Sequence, residues 1–139
     1  MDQAEAIMNS VAAIATAAGF TVERDRRFPV GDADMPIALL HTGEEENVIL
    51  DGAPAHSWAS RWEMRPVLEI WLRDTDPAAL FSSGRSAWNA VRNATLASPT
   101  LLGLLALGQP PRMSVDFVEP DEAADVLVVR VKFELTFER

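Results

Sequence analysis

The sequence predicts an α+β domain: an antiparallel or mixed β-sheet with two main helices packed on one face and a long loop between strands 2 and 3. Three observations carry that prediction. The first is an unbroken alternation over residues 125–139. Leu127, Val129, Val131, Phe133, Leu135 and Phe137 fall on one face, and Arg130, Lys132, Glu134, Thr136 and Glu138 on the other. Successive strand side chains point to opposite faces, so a period of two marks a strand with one buried and one wet side. The second is an apolar stripe at helical spacing near the N-terminus. The third is a pair of cap-then-proline signals, Asp76-Pro77 and Ser98-Pro99, each opening an apolar segment. Helices that follow such signals, joined to strands by local turns, favour a sheet covered on one face.

In chain order, residues 2–18 read as an amphipathic helix. Ile7, Met8, Val11, Ile14, Ala15 and Ala18 recur at three- and four-residue spacing, and Gly19 supplies a C-cap. Residues 20–28 read as a strand with a wet far end at Arg24, Asp25, Arg26 and Arg27. Pro29, Gly31 and Pro36 bracket a turn, and residues 37–41 form a short second strand.

Residues 42–57 are predicted to be a solvated loop, because Gly43, Glu44, Glu45, Glu46, Asp51, Gly52 and Pro54 offer little to bury. Val48, Ile49 and Leu50 inside it leave two readings open: an outlying strand or partner-ordered segment, or a plain flexible connection. Residues 58–73 read as a long strand, with a bulge near Pro66 as one reading. Trp62, Met64, Leu68, Ile70 and Leu72 share one face; Arg61, Glu63, Arg65, Glu69, Trp71 and Arg73 share the other. Pro66 lacks the N–H that a central ladder requires, which predicts an edge position or an interruption there.

Asp76 caps a helix running to about Leu96, with Pro77 in its first turn, where a missing N–H costs nothing. Leu80, Phe81, Gly84, Ala87, Trp88, Val91 and Thr95 are its expected buried row. Ser98 and Pro99 open a short helix over residues 100–107, closed by Gly108. Pro110 and Pro111 lead to a strand at 113–118.

The 139 residues are expected to make one domain, burying about two-thirds of the surface of the unfolded chain. A hydrophobic fraction of 48% is that of a folded protein. No apolar run approaches the roughly 20 residues of a membrane span. Asp2 and Glu5 follow Met1 in place of a basic segment, so no secretory signal is expected, and the reading is cytoplasmic. With no cysteine, disulfides, thiolate chemistry and cysteine-based zinc sites are excluded. The formal charge of −9 argues against phosphate-backbone binding. Lys132 is the sole lysine. Arginine's planar fork suits interfaces, although the same bias follows from a GC-rich genome.

Nothing in the sequence predicts catalysis. His41 and His56 flank the acidic segment without metal-ligand spacing. No serine sits in a nucleophile elbow, and no glycine-rich phosphate loop follows a strand. The expectation is no enzyme activity, no cofactor and no metal. Trp62 and Trp88 fall on predicted buried faces. Trp58 and Trp71 do not, and large aromatics beside arginine on a face the core does not need are typical of interfaces. The alternative is that a second layer of the same chain covers them. The candidate interface residues are Glu44, Glu45, Glu46, Val48, Trp58, Trp71 and Arg73.

The order of motifs resembles a known family. An N-terminal helix leads to Arg26-Arg27-Phe28-Pro29, then Met35-Pro36-Ile37-Ala38-Leu39-Leu40. An acidic segment follows, and then the long strand with Met64-Arg65-Pro66-Val67-Leu68-Glu69-Ile70-Trp71. A capped helix ends in Asn93-Ala94-Thr95-Leu96-Ala97, followed by Ser98-Pro99-Thr100-Leu101-Leu102-Gly103-Leu104-Leu105, before the alternating final strand. This resembles the tail terminator proteins of long-tailed bacteriophages and related defective or domesticated phage particles. The Ser98 to Leu105 stretch is similar to that family's Pro-Thr-Leu-Gly-Gly-Leu segment and departs from it at Leu102, where relatives often have glycine.

The resemblance covers nearly the whole chain. It implies a small α+β domain that forms a hexameric ring on the end of the tail tube, stops tube polymerisation and joins the tube to the head. Implied partners are further copies of itself, a tail tube protein and a head–tail adaptor or connector. DNA would pass through the lumen without specific binding, and no membrane is involved. The implied place is the virion tail or neck, after assembly in the bacterial host cytoplasm. Two other readings stay open: a different neck connector or minor tail protein of the same fold, and a small-molecule-binding or enzymatic α+β domain.

Overall fold

The computed structural model describes residues 2–48, 61–120 and 125–138. Helix α1 (Gln3–Ala17) buries Ile7, Met8, Val11, Ile14 and Ala15 of the stripe its spacing predicts, together with Ala4, while Ala18 is its C-cap and only partly buried. The helix stops where Gly19 takes φ +100°, a conformation glycine adopts without steric cost, and the Gly19 N–H donates to the Thr16 carbonyl at 3.0 Å. Strand β1 (Val22–Arg24) has three residues, far fewer than the strand expected over 20–28. Asp25 turns the chain at φ +49°, and Arg26 then folds the segment on itself. The Arg26 guanidinium donates to the carbonyls of Phe28 (3.0 Å) and Pro29 (2.9 Å) and to the Asp34 carboxylate (3.0 Å). Those donations hold a looped backbone, ending in the 3-10 turn Asp32–Asp34.

Strands β2 (Ile37–Asn47), β3 (Arg61–Arg73), β4 (Arg112–Val118) and β5 (Val126–Glu138) complete a five-stranded mixed sheet. The order is β1-β2-β3-β5-β4, with β1 parallel to β2 and every other pair antiparallel.

One expectation is corrected here and another is narrowed. First, residues 42–47 are strand and not loop; residues 49–57 of that expected loop lie outside the described residues. Their acidity does not prevent pairing, because Glu44, Glu45 and Glu46 alternate faces. Arg65 on β3 also reaches Glu44 (3.4 Å), Glu46 (3.0 Å) and Glu63 (2.9 Å). Second, of the two readings of Pro66 the structure takes the interruption and not the edge: the residue lies on the middle strand of the sheet. His41 pairs with Val67 and Glu44 with Arg65, so Thr42 and Gly43 together oppose Pro66 alone. This bulge relaxes the ladder where proline has no N–H to give. Gly43 is required for it: φ is +68°, and a Cβ would lie 2.0 Å from the Arg65 carbonyl oxygen.

The helices cover one face. In α2 (Pro77–Leu96) the Asp76 carboxylate accepts from the Ala78 N–H at 3.1 Å, and Leu80, Gly84, Ala87, Val91 and Thr95 are buried. Phe81, expected in that row, is 37% exposed, because it lies one residue and about 100° round the helix from Leu80. Gly84 lets α2 sit close on β5; a Cβ there would meet the Leu127 side chain at 2.6 Å. Helix α3 (Pro99–Leu104) ends before the expected Leu107, because Leu105 turns extended and the Ala106 N–H donates to Thr136 of β5 at 2.8 Å. Ser98 caps α3 as expected, its Oγ accepting from the Leu101 N–H at 3.1 Å.

Leu127, Val129, Val131, Phe133, Leu135 and Phe137 are all fully buried, as the alternation predicts. Met64, Leu68, Ile70, Ala38 and Leu40 join them beneath α1 and α2. Full burial of such a side chain contributes about 1.5–3 kcal/mol, so this row dominates the stability of the fold.

Candidate assembly interface

Among the described residues no α-helix covers the other face of the sheet, and pairing registers set its side chains in rows. The end row is apolar: Ile37, Trp71, Val128 and Val118 stand side by side on four strands. Next come Leu39, Glu69, Arg130 and Asp116, then His41, Val67, Lys132 and Ser114, then Glu44, Arg65, Glu134 and Arg112. One face therefore runs from apolar to charged along the strands.

The apolar end is partly sealed within the chain. Ile37, Leu39, Val126 and Val128 are buried although no helix covers them. Trp71, cross-strand neighbour to Ile37 and Val128, is half-buried, and its buried Nε1 has no hydrogen-bond partner among the described residues. Arg73 beside it holds Asp125 at 2.8 Å and reaches Asp32 at 3.7 Å. That guanidinium, as the main cause, holds the Asp125 carboxyl below its ordinary pKa.

The middle of the face is an ion-pair ladder. The Glu69 carboxylate, only 15% exposed, accepts from Arg130 Nε at 3.0 Å and lies 3.0 Å from His41 Nε2. Lys132 pairs with Asp116 at 3.2 Å. A hollow of about 260 Å³ lies among Arg65, Val67, Arg112, Ser114, Lys132 and Glu134. That is below the roughly 300–1,000 Å³ of ordinary ligand pockets. On the helical side a groove of about 520 Å³ runs between α1 and α3, lined by Ala6, Ala13, Ala17, Ser98 and Leu104 among others, with no titratable side chain in its lining. Among the described residues no three acidic or histidine side chains converge as metal ligands.

The far end is a hairpin arm. Strand β1 pairs with Ala38, Leu39 and Leu40 of β2 and no further. Among the described residues, the outer edge of β2 beyond the bulge therefore has no neighbouring strand. Asp25 closes the start of that edge: its carboxylate accepts from the Thr42 N–H (3.0 Å) and hydroxyl (3.0 Å). The backbone donation is the main cause that lowers the Asp25 pKa. Three glutamates then follow on an exposed edge, a pattern that keeps strand edges from indiscriminate pairing. Val48, the residue after β2, is half-buried, its N–H donating to the Arg61 carbonyl at 2.9 Å.

The residues chosen from sequence thus fall into two groups. Glu44, Glu45, Glu46 and Val48 lie on the arm, while Trp71 and Arg73 lie at the opposite end of β3, about 20 Å from Arg65 at the rise of a strand. Trp58 and His56 lie outside the described residues. Sequence reasoning misses two features: that Thr42 and Gly43 on β2 carry the bulge expected near Pro66, and the Glu69–Arg130–His41 cluster, whose members are far apart in sequence. Gly43 after an alternating run is a signal for the first; only strand register gives the second.

No helix among the described residues is long and apolar enough to cross a membrane. No protein-family model matches the chain, and no curated protein matches it. Among solved structures, the chain is similar in fold to a chain of the virion of a native gene transfer agent particle. That match covers 98% of this chain and 94% of the other at 17% identity, with a TM-score of 0.47. So distant a likeness decides nothing about function.

Proposed function

We propose that this chain is a ring-forming structural protein of a phage-like particle, which caps the end of a tail tube, ends its polymerisation and presents a joining surface to the head. It works by contacts and catalyses no reaction. The observation that carries the reading is the acidic hairpin arm: residues 44–47 of β2 extend past β1 along an edge that no strand among the described residues covers, at the far end of the sheet from the apolar row around Trp71. A charged arm that projects past its neighbouring strand suits repeated subunit contacts. The order of motifs from Arg26 to Leu105, which resembles tail terminators, supplies the particular role and a ring of six.

The charge suits the role as well. An acidic lumen lets DNA slide, whereas clustered cations would hold its phosphates. Partners in this reading are further copies of the chain, the tube subunit and a head–tail adaptor, in the tail or neck of the virion, after assembly in the host cytoplasm. Negative-stain electron microscopy tests it. Purified protein should form rings of uniform diameter, and adding it to polymerising tube subunits from the same particle should give short tubes with capped ends. Compact monomers that leave tube growth unchanged would contradict the reading.

A further inference from the structure

Acid is distributed unevenly along this chain. Between Asp76 and Asp116 the sequence has three arginines and no aspartate or glutamate, leaving nine basic residues and all twenty-one acidic ones to the rest. The stretch includes α2, whose solvent side carries a stripe at four-, four-, three- and four-residue spacing: Phe81, Arg85, Asn89, Arg92 and Leu96, every one exposed. This stripe lies about 120° round the helix from the buried row of Leu80, Gly84, Ala87, Val91 and Thr95. It spans roughly 22 Å, with an apolar residue at each end and the two guanidinium groups about 10 Å apart between them. Neither arginine has an ion-pair partner among the described residues.

An ordinary solvated helix face mixes both signs of charge. A face with exposed phenylalanine and leucine, arginine and no acid is composed like the centre of an interface. The hairpin arm has the complementary composition. Glu44 and Glu46 have side chains 82% and 63% exposed, Glu45 is exposed on the opposite face of the strand, and Val48 closes the run. Three consecutive residues cover about 7 Å of strand, within reach of both arginine side chains.

We infer that the arm of one copy docks on the α2 stripe of the next, with Glu44, Glu45 and Glu46 against Arg85 and Arg92. This inference rests on the ring reading and assigns the two surfaces that meet. Charge opposes the two self-pairings: arm on arm sets glutamate against glutamate, and stripe on stripe sets arginine against arginine, whereas arm on stripe, made once with each neighbour, runs head to tail. Complementarity runs only from one patch to the other. Such head-to-tail contact closes into rings or extends as filaments.

Charge reversal tests the assignment, with association followed by sedimentation velocity and folding by circular dichroism. Arg85→Glu with Arg92→Glu should raise the concentration at which the oligomer forms at least about tenfold, since like charges brought face to face cost more than 1.4 kcal/mol. Glu44→Arg with Glu45→Arg should do the same; Arg65 keeps Glu46 and Glu63, so the arm stays paired. The quadruple variant should associate like wild type, and so should an equimolar mixture of the two doubles, in which every contact joins opposite charges. If wild type associates while both doubles are unaffected, this contact is wrong and the ring reading stands. The contact is wrong in the same way if both doubles are weakened but neither combination recovers, or if the stripe variant loses only tube-end binding. If wild type stays monomeric at every concentration, both fall.

Discussion

One sheet carries two opposite solutions to burial. On the helix-covered face, six consecutive inward positions of β5 are fully buried beneath α1 and α2. On the other face, buried residues occur only at one end, around Ile37, Trp71 and Val128, and the rest is a ladder of ion pairs such as Glu69–Arg130 and Lys132–Asp116. The covered face is shaped by volume, where a missing methylene leaves a cavity. The open face is shaped by register, which decides which charges stand opposite each other. The first holds the fold together; the second, with the arm that continues it, is free to evolve contacts.

Phe133→Ala should break the covered face most severely, costing about 3–5 kcal/mol. That is a large share of the roughly 5–15 kcal/mol by which domains are stable, and a denaturant melt would measure it. Gly43→Ala strikes where the faces meet. Its φ of +68° and a Cβ 2.0 Å from the Arg65 carbonyl oxygen force the bulge to rearrange. Strain of this kind costs about 1–3 kcal/mol. Amide exchange should rise in residues 42–47 well before it rises in β5. Protection lost equally in both would mean that the arm and the core open as one unit.

Acid sharpens the contrast. Asp25, Asp34 and Asp125 have pKa values lowered in the folded state, chiefly by the Thr42 N–H, the Gly31 N–H and the Arg73 side chain respectively. A depressed folded pKa contributes stability that is fully present above the unfolded value near 3.8 and is lost as pH falls through the lower folded value. Stability should therefore drop below about pH 4. Asp25→Asn should flatten part of that drop, measured as denaturation midpoints at neutral and acid pH. An unchanged slope would show that the Asp25–Thr42 bonds do not couple to folding. Lys132→Ala should have the smallest effect, under about 0.5 kcal/mol, as is usual at the surface. A loss comparable to that of Phe133→Ala would reverse the register of β5.

The covered face is legible in the sequence because its signals are periodic and local. The alternation of β5, the stripe of α1 and the caps Asp76 and Ser98 each fix an element from its own residues. The open face is less legible because its order comes from pairing. Glu44, Glu45 and Glu46 read as loop when taken alone and become strand once Arg65 stands opposite. Pro66 reads as either an edge residue or an interruption, and only Gly43 across from it decides for the bulge. Phe81 reads as part of the buried row because hydrophobicity alone does not say which of two adjacent helical residues faces in. Trp71 lies on the face its alternation predicts, and its partial burial arises from Ile37 and Val128, neighbours that only the register supplies.

The mass of the purified chain in solution, followed by native mass spectrometry across a wide concentration range, bears most directly on whether the protein works as a closed assembly. A head-to-tail ring predicts one discrete oligomer of more than two copies, growing at the expense of monomer with no continuing ladder of larger species. Monomer throughout, or a two-fold dimer that goes no further, would contradict it.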